Sequence, residues 1–591
     1  MKKLKLISLL CALIMVLGCF SVFPAFAASE TDYNYAGSGT VADPWQLTNK
    51  NFKSFVEAAK TANAFKEKSF ILVEDIILND GANDGDAKDW ANGSRPSYIL
   101  NQPIINYDYC AVFDGNGKTI SGICMIAGTG IGEMGLFKYL SYSSNTTTCV
   151  KNLRLVNSYF ESHATAASSM GSIAAKLYYN SQVTNCYSEA ILTNTSASTA
   201  TTKLDGVCIG GIVGSTGQVN PDANLCPVIS NCVFAGSILN NLGNTGGILG
   251  NVPYNSTNQN KNTTATLSDC LNLGSVNSTV PKVNISAIVG SVDWQKVTLT
   301  ISKCMNLSTN VPAEVLGNGN VQSISVKDYY VVNGLRAQGN FVYPSNTTAW
   351  AQGKTLSDFL TNGVHNWTKK PGYVPNPTTH TDIPLSKIIN ADTLGLATEG
   401  TIHSIRISNT NKGLRFETII SDAGVALLNQ LKDAGATIAL NTYISAGKYF
   451  TDAQYGITEF TKEALDKGVE AGSRYLVVSA DDYLRKNGVD GATATTFAGS
   501  VVGINDLSMD YIAVGCVTVT LGGVAYDIYA SWSTEEIASV SDIAIAAADD
   551  TKAALDENAG YKYQITDRNG ESVYSPYTQA QYDCIVSLIA D

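Results

Sequence analysis

Between residues 135 and 329 short apolar runs alternate with polar, turn-forming stretches, and the runs fall into two interleaved series. The first reads Gly135-Leu136-Phe137-Lys138, Ser172-Ile173-Ala174-Ala175, Gly211-Ile212-Val213-Gly214, Gly247-Ile248-Leu249-Gly250 and Ala287-Ile288-Val289-Gly290, with a spacing of roughly 38 residues. The second places an aliphatic residue before a polar pair and then Cys, Leu or Tyr: Val150 to Leu153, Val183 to Cys186, Ile229 to Cys232, Leu267 to Cys270, Ile301 to Cys304 and Val326 to Tyr329. Each run is too short for a helix and too short to bury a face alone. Stacking removes the difficulty. If each period is one coil of a solenoid, parallel strands pair from coil to coil at about 4.8 Å and the aliphatic residues fill a continuous interior. The pattern predicts a right-handed parallel β-helix, mainly β, with glycines at strand corners where side chains are forbidden.

In this register Cys186, Cys232, Cys270 and Cys304 form an inward ladder, continued by Leu153 and Tyr329 in the end coils. A free thiol in that position packs as a small hydrophobe, and no close ligand pair or converging histidine suggests metal. A solenoid end needs a cover, and Asn51 to Ala64, with Phe52, Phe55, Val56 and Ala59 at helical spacing, predicts an N-terminal capping helix. After Trp367 the turn formers Pro371-Gly372 and Pro375-Asn376-Pro377 mark a boundary. The expected organisation is a signal peptide over 1–27, the solenoid over 28–376, a linker over 377–395 and a separate α+β domain over 396–591. In that last region Thr401 to Ile407, Gly413 to Ser421 and Ile438 to Ile444 read as strands. Asp422 opens a helix stopped by Gly435, Gly522-Gly523 joins a hairpin, Ser533 and Glu536 have capping-box spacing, and Gln579 to Ile589 reads as a final helix.

Composition changes this picture in one respect, namely where the chain works. Lys2, Lys3 and Lys5 precede an apolar run from Leu6 to Phe23, and Ala25-Phe26-Ala27-Ala28 follows Pro24. That is the order of a secretory signal, with cleavage expected between Ala27 and Ala28; a lipid-anchor site at Cys19 is the competing reading. Loss of three lysines moves the formal charge from −12 to −15. No basic stripe offsets it, which argues against nucleic acid as a partner. Eleven of the thirteen cysteines remain, scattered and odd in number, unlike a small disulfide scaffold.

With these repeats the chain resembles the GLUG-motif family of bacterial surface proteins. The resemblance extends to Gly37-Ser38-Gly39-Thr40 with Asp43-Pro44-Trp45-Gln46-Leu47, to Phe113 through Gly122, and to Leu356-Ser357-Asp358-Phe359-Leu360 and Trp367, covering about residues 35 to 376. It implies a secreted or surface-exposed β-solenoid without catalytic residues in the repeats. Gly413-Leu414-Arg415-Phe416 and Ile512 to Tyr529 are similar to a C-terminal module of secreted proteins from clostridia-like bacteria, which implies a Gram-positive source. The motif weakens at Ser172 to Ala175 and at Ala287, where distorted coils are expected.

Parallel β-helices that cleave polysaccharides cluster carboxylates with an Arg or Lys at a groove. Here Asp114 lies in the turn sequence Phe113-Asp114-Gly115-Asn116-Gly117, and Arg154 has no paired acid in its own coil. Asp80, Asp84 and Asp86 offer oxygens for Ca²⁺ without an EF-hand's spacing or closing glutamate, so a solvated turn competes. The run Gly128 to Gly132 reads as a turn. The histidines His163, His365, His380 and His403 match no zinc-protease pattern, and no catalytic or metal residues are assigned. Tyr107, Tyr109, Tyr139, Tyr142, Tyr178 and Tyr179 are candidate sugar platforms, although packing between coils or against loops is the better explanation for any one of them. The expectation is a secreted or cell-surface, adhesin-like binding protein for extracellular polysaccharide or surface protein. A polysaccharide lyase or glycoside hydrolase, and an architectural envelope spacer, are the alternatives.

Overall fold

The computed structural model describes residues 35–60, 65–104, 110–128, 130–140, 147–164, 168–195, 206–217, 226–240, 243–253, 263–277, 285–292, 297–308, 324–327, 330–333, 354–364, 366–396, 404–405, 413–487, 493–549 and 563–589. The segment expected as a signal, Ala27 and Ala28, and Tyr329 lie outside them, as do Tyr107, Tyr109, Tyr142, His365 and His403. The chain is mainly β, and residues 112–306 wind as a parallel β-solenoid. Two long sheets run its length. One stacks Trp45–Leu47, Lys68–Leu72, Cys110–Asp114, Cys149–Lys151, Gln182–Thr184 and the strands after them; the other begins Ile76–Ile77, Thr119–Ser121, Arg154–Val156, Tyr187–Ser188. Three further sheets of five strands each complete the coils.

The register places the two sequence series as stacks. Phe137, Ala174, Val213, Leu249 and Val289 are successive partners, and so are Val150, Val183, Ile229, Leu267 and Ile301. All ten are buried in one continuous core. Burial of each large apolar side chain contributes about 1.5–3 kcal/mol, and the coil-to-coil hydrogen bonds satisfy the strands that carry them. The coils with Ser172 and Ala287 keep this register without a bulge: Ala174 pairs with Val213, and Ser286 with Gly246.

The repeat glycines do a different job from the one their sequence suggests. Gly210, Gly211, Gly214, Gly246, Gly247, Gly250 and Gly290 all have ordinary negative φ. What excludes a side chain is contact, because the strands of each Gly-Gly-Ile-Val-Gly arch lie backbone to backbone with one another and with those of the neighbouring coil. A Cβ on Gly210 would lie 1.9 Å from the Val213 carbonyl oxygen, and one on Gly250 would lie 2.4 Å from that of Gly214. The left-handed conformation is taken instead by the polar residue before each ladder position: Asn152, Asn185, Asn231, Asp269 and Lys303 have φ between 51° and 55°. Asn and Asp tolerate that region better than other side chains.

Near the N-terminus, Asn49–Ala58 is a helix that Thr48 and Asn51 box, and it buries Phe52, Phe55 and Val56. The Phe55 ring stands 4.9 Å from Phe70. After the solenoid, Leu356–Asn362 is a helix, and residues 377–395, expected as a linker, are packed: Thr378, Ile383, Leu385, Ile388 and Ile389 are buried. Ile383, Leu385, Ile388 and Ile389 join the cluster that covers Tyr187, Val233, Leu271 and Met305 on the outside of the second long sheet.

Ser404–Ile405 and strands within residues 413–529 form two four-stranded antiparallel sheets, accompanied by the helices Asp422–Asp433, Lys462–Glu470 and Val540–Asp549. The sheets meet at Gly515 against Thr418 and Gly499 against Thr442. The Gly522-Gly523 hairpin is formed, with φ of 56° and 82°. One expected start is displaced. Ser533 caps only a short 3-10 turn, Thr534–Glu536, whereas the helix opens at Val540, where Ser539 and Asp542 exchange the backbone bonds of a capping box. The final helix spans Gln579–Val586.

Candidate binding cleft

The short helix Ala87–Ala91 lies against the outside of the solenoid, held by Trp90 packed with Cys124 and Tyr159. Its position is fixed at its start, where Ala87 donates its N–H to the Asn157 side chain at 2.7 Å. Asn157 is itself in a left-handed corner, φ 43°. Across from it the 3-10 turn Leu385–Lys387 approaches the same corner of the solenoid. Between them is a cleft of about 460 Å³, lined by Asp86, Lys88, Asn157, Glu189, Ser237 and Lys387. Three separate parts of the sequence therefore build its walls.

Its two carboxylates are already engaged. Glu189 accepts the hydroxyl of Tyr187 and is ion-paired with Lys387 at 3.1 Å. Burial, then the Glu189 carboxylate, pushes the Tyr187 phenol far above its usual range, so it remains a donor; the Arg154 guanidinium lies 5.7 Å from the centre of its ring. Asp86 accepts the N–H groups of Lys88 and Asp89 at 2.8 and 3.0 Å, as a helix cap. Both carboxylates of the cleft thus already accept bonds from neighbouring donors. They suit recognition of hydroxyl groups better than proton transfer, which asks for one free acid and one free base.

A second cluster lies beside the helix. Glu161, nearly buried, accepts the Tyr159 hydroxyl at 2.9 Å and Arg95 at 3.2 Å, with His163 Nε2 3.0 Å and Thr195 Oγ1 3.3 Å from its other oxygen. Thr195 also meets His163 Nδ1 at 3.0 Å. The residue types are those of a nucleophile relay, but the geometry is not. In a relay the hydroxyl and the carboxylate sit on opposite edges of the imidazole, whereas here they touch each other. The cluster ties the segment around Arg95 to two coils.

The sequence candidates lie apart from both places or serve the fold. Asp114 accepts Asn116 N–H at 2.8 Å and Asn152 Nδ2 at 2.9 Å and pairs with Lys151 at 3.2 Å, so it organises its turn. Asp80 caps Gly81–Asp84, and Asp84 receives the Ser97 N–H, which holds its carboxyl below the usual carboxylate range. Asp80, Asp84 and Asp86 are therefore each turned to backbone donors, and among the described residues no three His, Cys, Asp or Glu side chains converge as metal ligands. Cys186, Cys232, Cys270 and Cys304 are fully buried and unbridged. Tyr139 and Tyr178 pack edge to face at 5.5 Å. Sequence reasoning did not find the cleft. Its signal was the apolar residue after each ladder cysteine, Tyr187, Val233, Leu271 and Met305, which marks an outer face that something else must cover.

Among the described residues no helix is long and apolar enough to cross a membrane. The chain matches no protein-family model, no curated protein and no solved structure.

Proposed function

We propose that this is a secreted or cell-surface bacterial protein that binds extracellular polysaccharide, holding it in the cleft between Ala87–Ala91, the solenoid corner at Glu189 and Lys387, without cleaving it. The observation that carries the reading is the engagement of both cleft carboxylates, Glu189 by Tyr187 and Lys387 and Asp86 by backbone N–H groups. Fixed acceptors and donors on a rigid scaffold recognise sugar hydroxyls at little entropic cost. The same reading takes the solenoid as right-handed and of the GLUG type, with Asn49–Ala58 as its N-terminal cap and export directed by the segment before Ala28. Burial of Phe52 and Phe55 supports the cap.

Titration calorimetry of the mature chain against a panel of neutral and acidic polysaccharides tests the proposal. Saturable binding that Lys387→Ala together with Ser237→Trp weakens at least about tenfold is the expected result. Release of reducing or unsaturated sugar ends by the unmodified chain would establish a hydrolase or lyase instead.

A further inference from the structure

One sheet of the C-terminal region ends on the strand Tyr475–Ala480, whose only partner among the described residues is Thr437–Ala446. Natural edge strands are usually protected by charge, proline or a bulge. This one, Tyr-Leu-Val-Val-Ser-Ala, carries no charge and no proline. Leu476 and Val477, which point to opposite faces, are 45% and 41% exposed. The charges stand at its two ends, with Arg474 before the strand and Asp481 and Asp482 after it, all exposed.

That arrangement complements itself. A two-fold axis normal to the sheet pairs residues of the same face, and an axis through Val478 sets it against Val478 of the partner subunit. Leu476 then meets Ala480 of the partner subunit, Val477 meets Ser479 of the partner subunit, and Arg474 faces Asp482 of the partner subunit at both ends. A shift by two residues in either direction leaves Arg474 opposite an uncharged position, Ala480 or Leu484. Basic residues before an uncharged edge and acidic residues after it fit the same strand running the other way, so the occupant with matching charge is a second copy. We propose that Tyr475–Ala480 is a self-association edge through which two chains join their four-stranded sheets into one antiparallel sheet of eight.

Sedimentation velocity of the full mature chain, from about 1 to 200 μM, tests this. The expected result is a concentration-dependent dimer. Val477→Lys weakens it at least about tenfold while the thermal midpoint stays unchanged. Arg474→Asp weakens it several-fold, and adding Asp482→Arg restores it, a rescue that does not depend on how well Val477→Lys folds. A chain that stays monomeric over the whole range, or a dimer indifferent to Val477→Lys and to the charge pair, overturns the proposal.

Discussion

Lys303 occupies the left-handed position that Asn152, Asn185, Asn231 and Asp269 occupy in the other coils, with φ of 55°. A long side chain there is strained, whereas asparagine or glycine is not, so Lys303→Asn is expected to stabilise the solenoid by about 0.5–1 kcal/mol, read as a higher thermal midpoint. The opposite result is expected at the arch. Gly250→Ala puts a methyl 2.4 Å from the Gly214 carbonyl oxygen and 2.8 Å from the Ile209 backbone, and neither is the end of a flexible side chain. A loss of about 2–4 kcal/mol in denaturant unfolding follows. The ladder thiols give a third test. Burial raises the thiols of Cys232, Cys270 and Cys304 well above their usual range, and Cys124 to about 11. Iodoacetamide at pH 8 should modify the half-buried Cys226 and Cys584 first and reach the ladder only after denaturation. Mass spectrometry that finds all four ladder cysteines labelled in the folded chain would refute the buried stack.

At the scale of elements, the strap 366–384 decides how the solenoid is dressed. His380 donates from Nε2 to the Asn185 carbonyl at 2.7 Å, its Nδ1 meets the Thr381 hydroxyl at 3.0 Å, and Thr379 exchanges bonds with the Asn185 side chain. The charged groups that act on it are Arg154 and Asp114. Burial first, with Arg154 adding to it, lowers the His380 pKa below its ordinary 6.5. A group depressed in the folded chain binds protons more readily when unfolded, so its contribution is complete above about pH 6.5 and is lost as pH falls through the lower folded value. The thermal midpoint should therefore decline between pH 7 and 5 by more in the natural chain than in His380→Gln. Equal slopes would show that the strap does not sense the proton.

For the whole molecule, the covered outer face links the two halves. Tyr187, Val233, Leu271 and Met305 share one core with Phe359, Trp367, Ile383 and Leu428. Trp367 Nε1 reaches Asp269 at 3.3 Å, and Lys387 reaches Glu189 at 3.1 Å. Leu271→Ala, which removes an outward side chain, should cost about 2–4 kcal/mol and lower the unfolding transition of residues 413–589 as well as that of the solenoid. Limited proteolysis with residue-resolved product analysis checks the coupling. Residues 377–395 resist cleavage in the natural chain and are cut early in the variant. Independent melting of the two halves in both proteins would contradict it.

Much of the fold was written in short-range pattern. The period of roughly 38 residues, the alternation of aliphatic and polar positions and the turn formers between them required parallel stacking, because no single run buries a face alone. Gly522-Gly523 likewise specified its hairpin locally. Tertiary structure alone decided why the repeat glycines must lack a side chain, since that follows from strands distant in sequence lying backbone to backbone. It also moved a helix start from Ser533 to Ser539, where Asp542 supplied the reciprocal bond. The cleft was invisible for the same reason. Asp86, Glu189 and Lys387 lie far apart along the chain, and only the packing of the Leu385–Lys387 turn and the short helix on one solenoid corner brings their charges together. Sequence determines which residues must be buried in each coil; the meeting of distant surfaces determines what is left to bind.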